Sequence, residues 1–99
     1  MALFAVIFED DPARFEVRQR EMKAHLQFLD RERAQILSGG SLREGEEARP
    51  VGGLWLVEAQ DRAAVEAIYM RDPFWLAGLR KSVRVREWRK AFPERKIPI

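Results

Sequence analysis

The chain has 99 residues, 46% of them hydrophobic and 10% aromatic, enough for one small domain with a modest core and too few for a second. It contains no cysteine, which excludes disulfides and thiolate catalysis, and no run approaches the ~18 apolar residues that a bilayer span requires. The formal charge of +2 is unevenly spread: residues 80–99 carry eight Lys or Arg against two acids, while residues 1–79 carry ten bases against fourteen acids.

Met1-Ala-Leu-Phe-Ala-Val-Ile-Phe8 is apolar but has no basic leader and runs into Glu9-Asp10-Asp11, so it does not resemble a secretion signal, and a cytoplasmic setting is expected. Its Phe, Val and Ile content predicts a buried strand over residues 2–8. Asp10-Asp11-Pro12 then combines an Asx cap with a proline tolerated in a first turn, predicting a helix from Pro12 or Ala13 to about Arg33. Within it Phe15, Met22, Leu26 and Leu29 fall within about 60° of one another on a wheel of about 100° per residue. His25 lies at the border of that stripe, and Arg14, Arg18 and Glu21 project along the same border.

Ala34–Leu42 reads as a strand weakened by Gly39-Gly40, where a bulge or a close backbone approach is expected. Residues 43–50 form a charged loop, and Val51–Glu58 a third strand. Asp61 is a credible N-cap for a second helix that must stop near Arg71, ahead of Pro73. Phe74–Leu79 is a short turn, and Ser82-Val-Arg-Val-Arg-Glu-Trp88 alternates as a closing strand with Val83 and Val85 on one face. The order β-α-β-β-α-β predicts an α+β, ferredoxin-like sandwich, with both helices on one face of an antiparallel sheet. Residues 1–99 are one domain, with a basic C-terminal tail from about residue 93.

His25 is the only histidine and the one side chain whose unperturbed pKa lies near neutrality, so proton transfer, if present, runs through it. One His and no Cys leave no metal-binding set, and no cofactor is expected, since the paired glycines lack the strand-loop-helix setting of a phosphate cradle. Ser41 has no basic neighbour in sequence to make it a nucleophile. The basic final strand reads as a protected, solvated sheet edge, so a nucleic-acid partner is not expected. A core this small, unreinforced by disulfide or metal, favours a homodimer or higher homo-oligomer.

The chain resembles the YCII-related (YciI-like) family in an ordered set of elements: His25-Leu26 on the first helix, Leu37-Ser-Gly-Gly-Ser41 on the second strand, then Asp72-Pro-Phe74, Ala77-Gly78 and the closing strand Val83–Trp88. The likeness covers nearly the whole chain. It implies a dimeric α+β barrel whose site is built around a His and an Asp, in a family that includes an enzyme eliminating chloride from a chlorinated aromatic and shares its fold with muconolactone isomerases. Carried over by position, His25 and Asp72 are the catalytic pair, with Ser41 and Phe74 near the pocket. Family members carry Arg three residues before the His, where this chain has Met22, so an anion held there needs another partner, for which Arg18 is the candidate.

Two functions follow as expectations. One is a cofactor-independent lyase or isomerase of small molecules with a His25/Asp72 pair, in a pocket between the first helix and the sheet. The other is a non-enzymatic dimer that binds a small acidic metabolite through Arg18 and His25. Contact between His25 and Asp72 is not assured by sequence: a helix starting at Ala13 puts His25 roughly 18 Å along its axis, far from a residue that follows the second helix. A late helix start, a partner subunit or a bridging substrate would each resolve this.

Overall fold

The structure, a computed structural model, describes residues 1–96; residues 97–99 of the expected basic tail lie outside the described residues. The elements are β1 (Ala2–Asp10), a 3₁₀ turn (Pro12–Arg14), α1 (Glu16–Arg31), β2 (Ile36–Arg43), β3 (Pro50–Ala59), α2 (Arg62–Tyr69), α3 (Pro73–Leu76) and β4 (Arg80–Glu87). The four strands form one sheet in the order β2-β3-β1-β4, every neighbouring pair antiparallel. This is the ferredoxin-like α+β arrangement expected from the order of elements. Among the described residues no helix is long and apolar enough to cross a membrane.

Alternation sorts the central strands into two faces. Phe4, Val6 and Phe8 of β1 meet Val57, Trp55 and Gly53 of β3 across the ladder, and with Val85 of β4 they form the helix-side face. Phe28 of α1 and Val65, Ile68 and Tyr69 of α2 close on it to make the main core. Phe8 meets Trp55 edge-to-face at 4.8 Å between ring centres, a geometry that adds to simple area burial. A second, smaller cluster of Val17, Phe74 and Leu79 lies where α1 crosses α3.

α1 differs from its expected form in two ways. Asp11 does cap, its Oδ1 accepting from Ala13 N at 2.9 Å, but that cap and Pro12 are satisfied by a separate 3₁₀ turn, and the α-helix begins only at Glu16. The buried face of α1 is Val17, Arg18, His25 and Phe28, so His25 sits within the inner stripe and not at its border, while Leu26 is 55% exposed. The stretch Phe74–Leu79, expected as a turn, overlaps the four-residue helix α3, which starts at Pro73.

That short helix is closed at both ends by its own sequence. Asp72 is the N-cap and Pro73 the first helical residue, the position where a missing N–H costs nothing. At the far end Gly78 takes φ +79°, and the amides of Gly78 and Leu79 donate to the carbonyls of Trp75 and Phe74 at 3.1 and 3.0 Å. This is a Schellman closure, completed by the apolar contact of Leu79 with Phe74 in the small cluster.

One register shift and one close approach of strands bear on the site. One, between Glu9 and Asp10, pairs Asp10 with Arg80 and leaves Lys81 as the extra residue of β4. The other feature is Gly52 opposite Glu9, where a Cβ would lie 2.0 Å from the carbonyl oxygen of Phe8. Gly52→Ala is therefore expected to destabilise the fold by about 2–3 kcal/mol through forced backbone movement. Gly40→Ala, whose Cβ meets nothing, should stay within about 0.5 kcal/mol of the parent; urea unfolding of the two variants measures the difference.

Candidate active site

His25 and Asp72 are in direct contact within one chain: Nδ1 of His25 donates to Oδ1 of Asp72 at 2.7 Å. The late start of α1 shortens the path along the helix. More decisively, α3 turns back after α2 and packs against α1, carrying Asp72 with it. Neither a partner subunit nor a substrate is needed to join the pair. His25 is 7% exposed and Asp72 fully buried.

The same oxygen that receives the imidazole also accepts from the Phe74 amide at 3.1 Å. A carboxylate is an acceptor only, so Nδ1 is the nitrogen that carries the proton, and the neutral ring presents the lone pair of Nε2. Among the described residues no hydrogen bond reaches Nε2, and that atom is not sealed from solvent. Phe74 fixes the plane of the ring, stacking on it at 3.8 Å between centres and 7° between planes. Oδ2 of Asp72 is buried without a hydrogen-bond partner among the described residues.

Beside this pair lies a buried ion cluster centred on Asp10. Arg18 Nε donates to Oδ2 at 3.0 Å and its Nη2 to the Gly52 carbonyl at 2.9 Å. Arg80 Nη1 donates to Oδ1 at 2.7 Å. Two guanidinium groups thus share one carboxylate, each oxygen taking one of them, with the charge-assisted bonds that buried ions need. The Arg80 side chain is 2% exposed. Its guanidinium stands 4.5 Å from the centre of the Phe8 ring and 5.2 Å from that of Phe74. Burial pushes the Arg80 pKa down, opposed by its hydrogen bond and attraction to Asp10; an arginine so placed remains charged at neutral pH.

The residues singled out in the sequence are thus distributed unevenly. His25, Asp72 and Phe74 come together. Arg18 stands next to them, its carbon Cζ 5.4 Å from the Phe74 ring centre, but its Nε and Nη2 are engaged by protein acceptors. Ser41 does not join the pair. It is exposed on β2, where it accepts from Arg43 Nε at 3.1 Å, and it shares a sheet row with Gly53 and Phe8, hence the helix-side face. A groove of about 520 Å³ lies elsewhere: Leu3, Leu37, Leu56, Trp88 and Phe92 line it on the sheet's outer side.

Arg80 and Asp10 are the members of the site that sequence reasoning missed. Counting back from Val83 and Val85, alternation places Lys81 inward and Arg80 outward. The extra residue in β4 reverses that order, so Arg80 is inside and the Lys81 side chain is 62% exposed. Among the described residues no group of three or more His, Cys, Asp or Glu is placed to hold a metal ion.

The sequence and the fold are similar to those of known proteins. A model of the YCII-related domain matches residues 2–89. The structure is similar to 5-chloro-2-hydroxyhydroquinone dehydrochlorinase from Burkholderia phenoliruptrix AC1100, solved in complex with 2,5-dihydroxybenzoquinone: TM-score 0.79 and 28% identity, covering 88% of this chain and 93% of that one. It is also similar in fold to a protein of Bacteroides thetaiotaomicron VPI-5482 named for the antibiotic biosynthesis monooxygenases, with TM-score 0.58 and 17% identity over 98% of this chain and 95% of the other. No curated protein matches the sequence. The match over residues 2–89, nearly the whole chain, establishes that the chain belongs to the YCII-related family.

Proposed function

We propose that the protein is a cofactor-independent lyase or isomerase of small molecules in which His25 is the general base and Asp72 its orienting partner. The observation that carries this is the buried 2.7 Å hydrogen bond from Nδ1 to Asp72, which leaves Nε2 as the one ring atom open to a reactant. A buried carboxylate behind an imidazole fixes the tautomer and stabilises the cation formed when Nε2 takes a proton. In an elimination, Nε2 removes a proton from a hydroxyl oxygen or a carbon of the substrate; the electron pair left behind moves through the substrate and expels the leaving group with its bonding electrons. In an isomerisation the same proton returns at another atom.

The dehydrochlorinase supports the lyase form of this reading, since its similarity spans most of both chains. Hydroxylated six-membered rings are accordingly the substrates to test first. Phe74, expected near the substrate, is fully buried and acts from inside the core by holding the imidazole plane, while Ser41 is a hydrogen-bonding group at the outer rim of the same sheet face.

The outer face of the sheet carries Leu3, Ala5 and Ile7 of β1 beside Leu54 and Leu56 of β3, with Ile7 and Leu54 exposed. We propose that this apolar face pairs with a second copy of the chain, as the resemblance implies for a dimeric barrel.

Replacing His25 with Ala should lower turnover of chlorinated and unchlorinated trihydroxybenzenes by about 10²–10⁴-fold, read as chloride release or as exchange of ring protons with deuterated water. Asp72→Asn keeps an N-cap for α3 and should retain the fold while losing most of the rate. Full activity in the His25 variant defeats the proposal, and a ligand recovered unaltered with His25 needed only for affinity favours the binding dimer instead. Sedimentation should give twice the chain mass, and Ile7→Glu or Leu54→Glu should shift it to a monomer.

A further inference from the structure

We infer that Arg80 is a positioning residue for His25: through a buried, charge-balanced cluster it keeps the resting imidazole neutral, so that Nε2 holds a lone pair. Four ionised side chains meet behind that ring. Arg18 and Arg80 supply two positive charges, Asp10 and Asp72 two negative ones. Asp10 and Arg18 are each 7% exposed and Asp72 is fully buried, and the Arg80 side chain is 2% exposed. The set balances only while His25 is uncharged. Asp10 accepts from both guanidinium groups, so one positive charge is left to face Asp72. That carboxylate spends Oδ1 on His25 and the Phe74 amide, while its buried Oδ2 has no hydrogen-bond partner among the described residues. A buried carboxylate beside a neutral imidazole needs a cation nearby to stay ionised. Arg80 is that cation: its Nε is likewise buried without an acceptor among the described residues, and attraction to Asp72 is one of the influences that oppose the lowering of its pKa by burial.

Phe74 sets the spacing between the cluster and the imidazole. The imidazole stacks on it at 3.8 Å between ring centres, and the Arg80 guanidinium lies 5.2 Å from the same centre, so the two groups are at most about 9 Å apart. Phe74 is fully buried, which keeps water from screening them. At an effective dielectric constant of about 20, a unit charge at about that distance changes proton affinity by roughly tenfold, or about one pH unit. The other charges facing His25 are accounted for. On α1, Glu21 one turn before it pairs with Arg20 at 3.3 Å, and Arg18 pairs with Asp10. α3 brings Asp72, β1 brings Asp10 and β4 brings Arg80, while the helix-side residues Gly53, Trp55 and Val57 of β3 carry no charge.

The sign of the effect follows from the count. Without Arg80 the remaining charges sum to minus one, which favours the imidazolium and leaves the base already occupied at neutral pH. With Arg80 present, a proton taken by Nε2 makes the buried set positive, so the proton is also readily given back, as an isomerisation or a departing group requires. Arg80 touches no reacting atom in this account. It acts through Asp72 and through space. The inference deepens the proton-transfer reading and rests on it for the use made of Nε2, but the titration that tests it needs no substrate.

Because His25 is the only histidine, its ring Cε1–H signal in a proton–carbon NMR spectrum reports its titration without ambiguity. The midpoint is measured in the parent, Arg80→Gln, Asp10→Asn and the double variant, with thermal unfolding confirming the fold. Arg80→Gln removes a positive charge and should raise the midpoint by about one pH unit. Asp10→Asn removes a negative charge and should lower it by a similar amount, and the double variant, balanced again, should return to within about 0.3 pH unit of the parent. Loosened packing alone gives no such opposite signs and no such cancellation. If one single variant does not fold, the sign of the other decides; if neither does, the double variant decides by its return to the parent midpoint. Shifts of equal sign, no shift, a double variant displaced from the parent, or failure of all three to fold overturns the inference. The expected shifts together with full turnover in the His25→Ala protein defeat the proton-transfer reading and leave the charge balance standing.

Discussion

One carboxylate oxygen joins the two halves of this molecule. Oδ1 of Asp72 holds the imidazole of α1 and the first amide of α3 at once, tying the helix that follows β1 to the segment that precedes β4. Its burial makes that bond strong and its loss costly, because a buried acceptor or donor left without a partner cannot turn to water. Tautomer and helix start are both set by this group, and the stacked Phe74 sets the ring plane. The direction in which Nε2 points is therefore set by the fold itself.

Around that bond the electrostatics follow a simple rule: no buried charge stands without an opposite one. Asp10 sits between Arg18 and Arg80, and these three groups lie beside Phe74, the ring that also supports His25. Such a cluster contributes little net stability over an apolar replacement of the same volume, but breaking one member leaves the others uncompensated. Its value is geometric. It holds the Arg80 guanidinium on the helix-side face, next to a strand that has no side chain at Gly53.

Much of this was readable from residue order. The element sequence, the antiparallel sheet and the buried central strands follow from alternation and turn chemistry alone, and the pairing of His25 with Asp72 follows from the family resemblance. The start of α1 was not readable, because Asp11 and Pro12 satisfy a single 3₁₀ turn as well as they satisfy a helix. Nor was the inner stripe of α1. Arg18 and His25 are buried by partners on β1 and α3, and no wheel drawn on one helix contains those partners. Arg80 was hidden for a sharper reason: side-chain facing has a period of two, so one unpaired residue in β4 inverts every inference made upstream of it.

The capped segment from Asp72 to Leu79 has a further implication for how such a scaffold diversifies. Its start and its finish are secured by its own atoms, the aspartate at one end and the left-handed glycine at the other, so its shape owes little to the strands beneath. In the proposed proton-transfer reading, exchanges at the exposed Ser41 end of the row shared with Gly53 change the surroundings of the site while the His25–Asp72 pair stays in place. So read, the self-capped segment is a fixed cartridge beside a sheet edge open to variation, a division of labour by which one small chain architecture changes its surface one residue at a time.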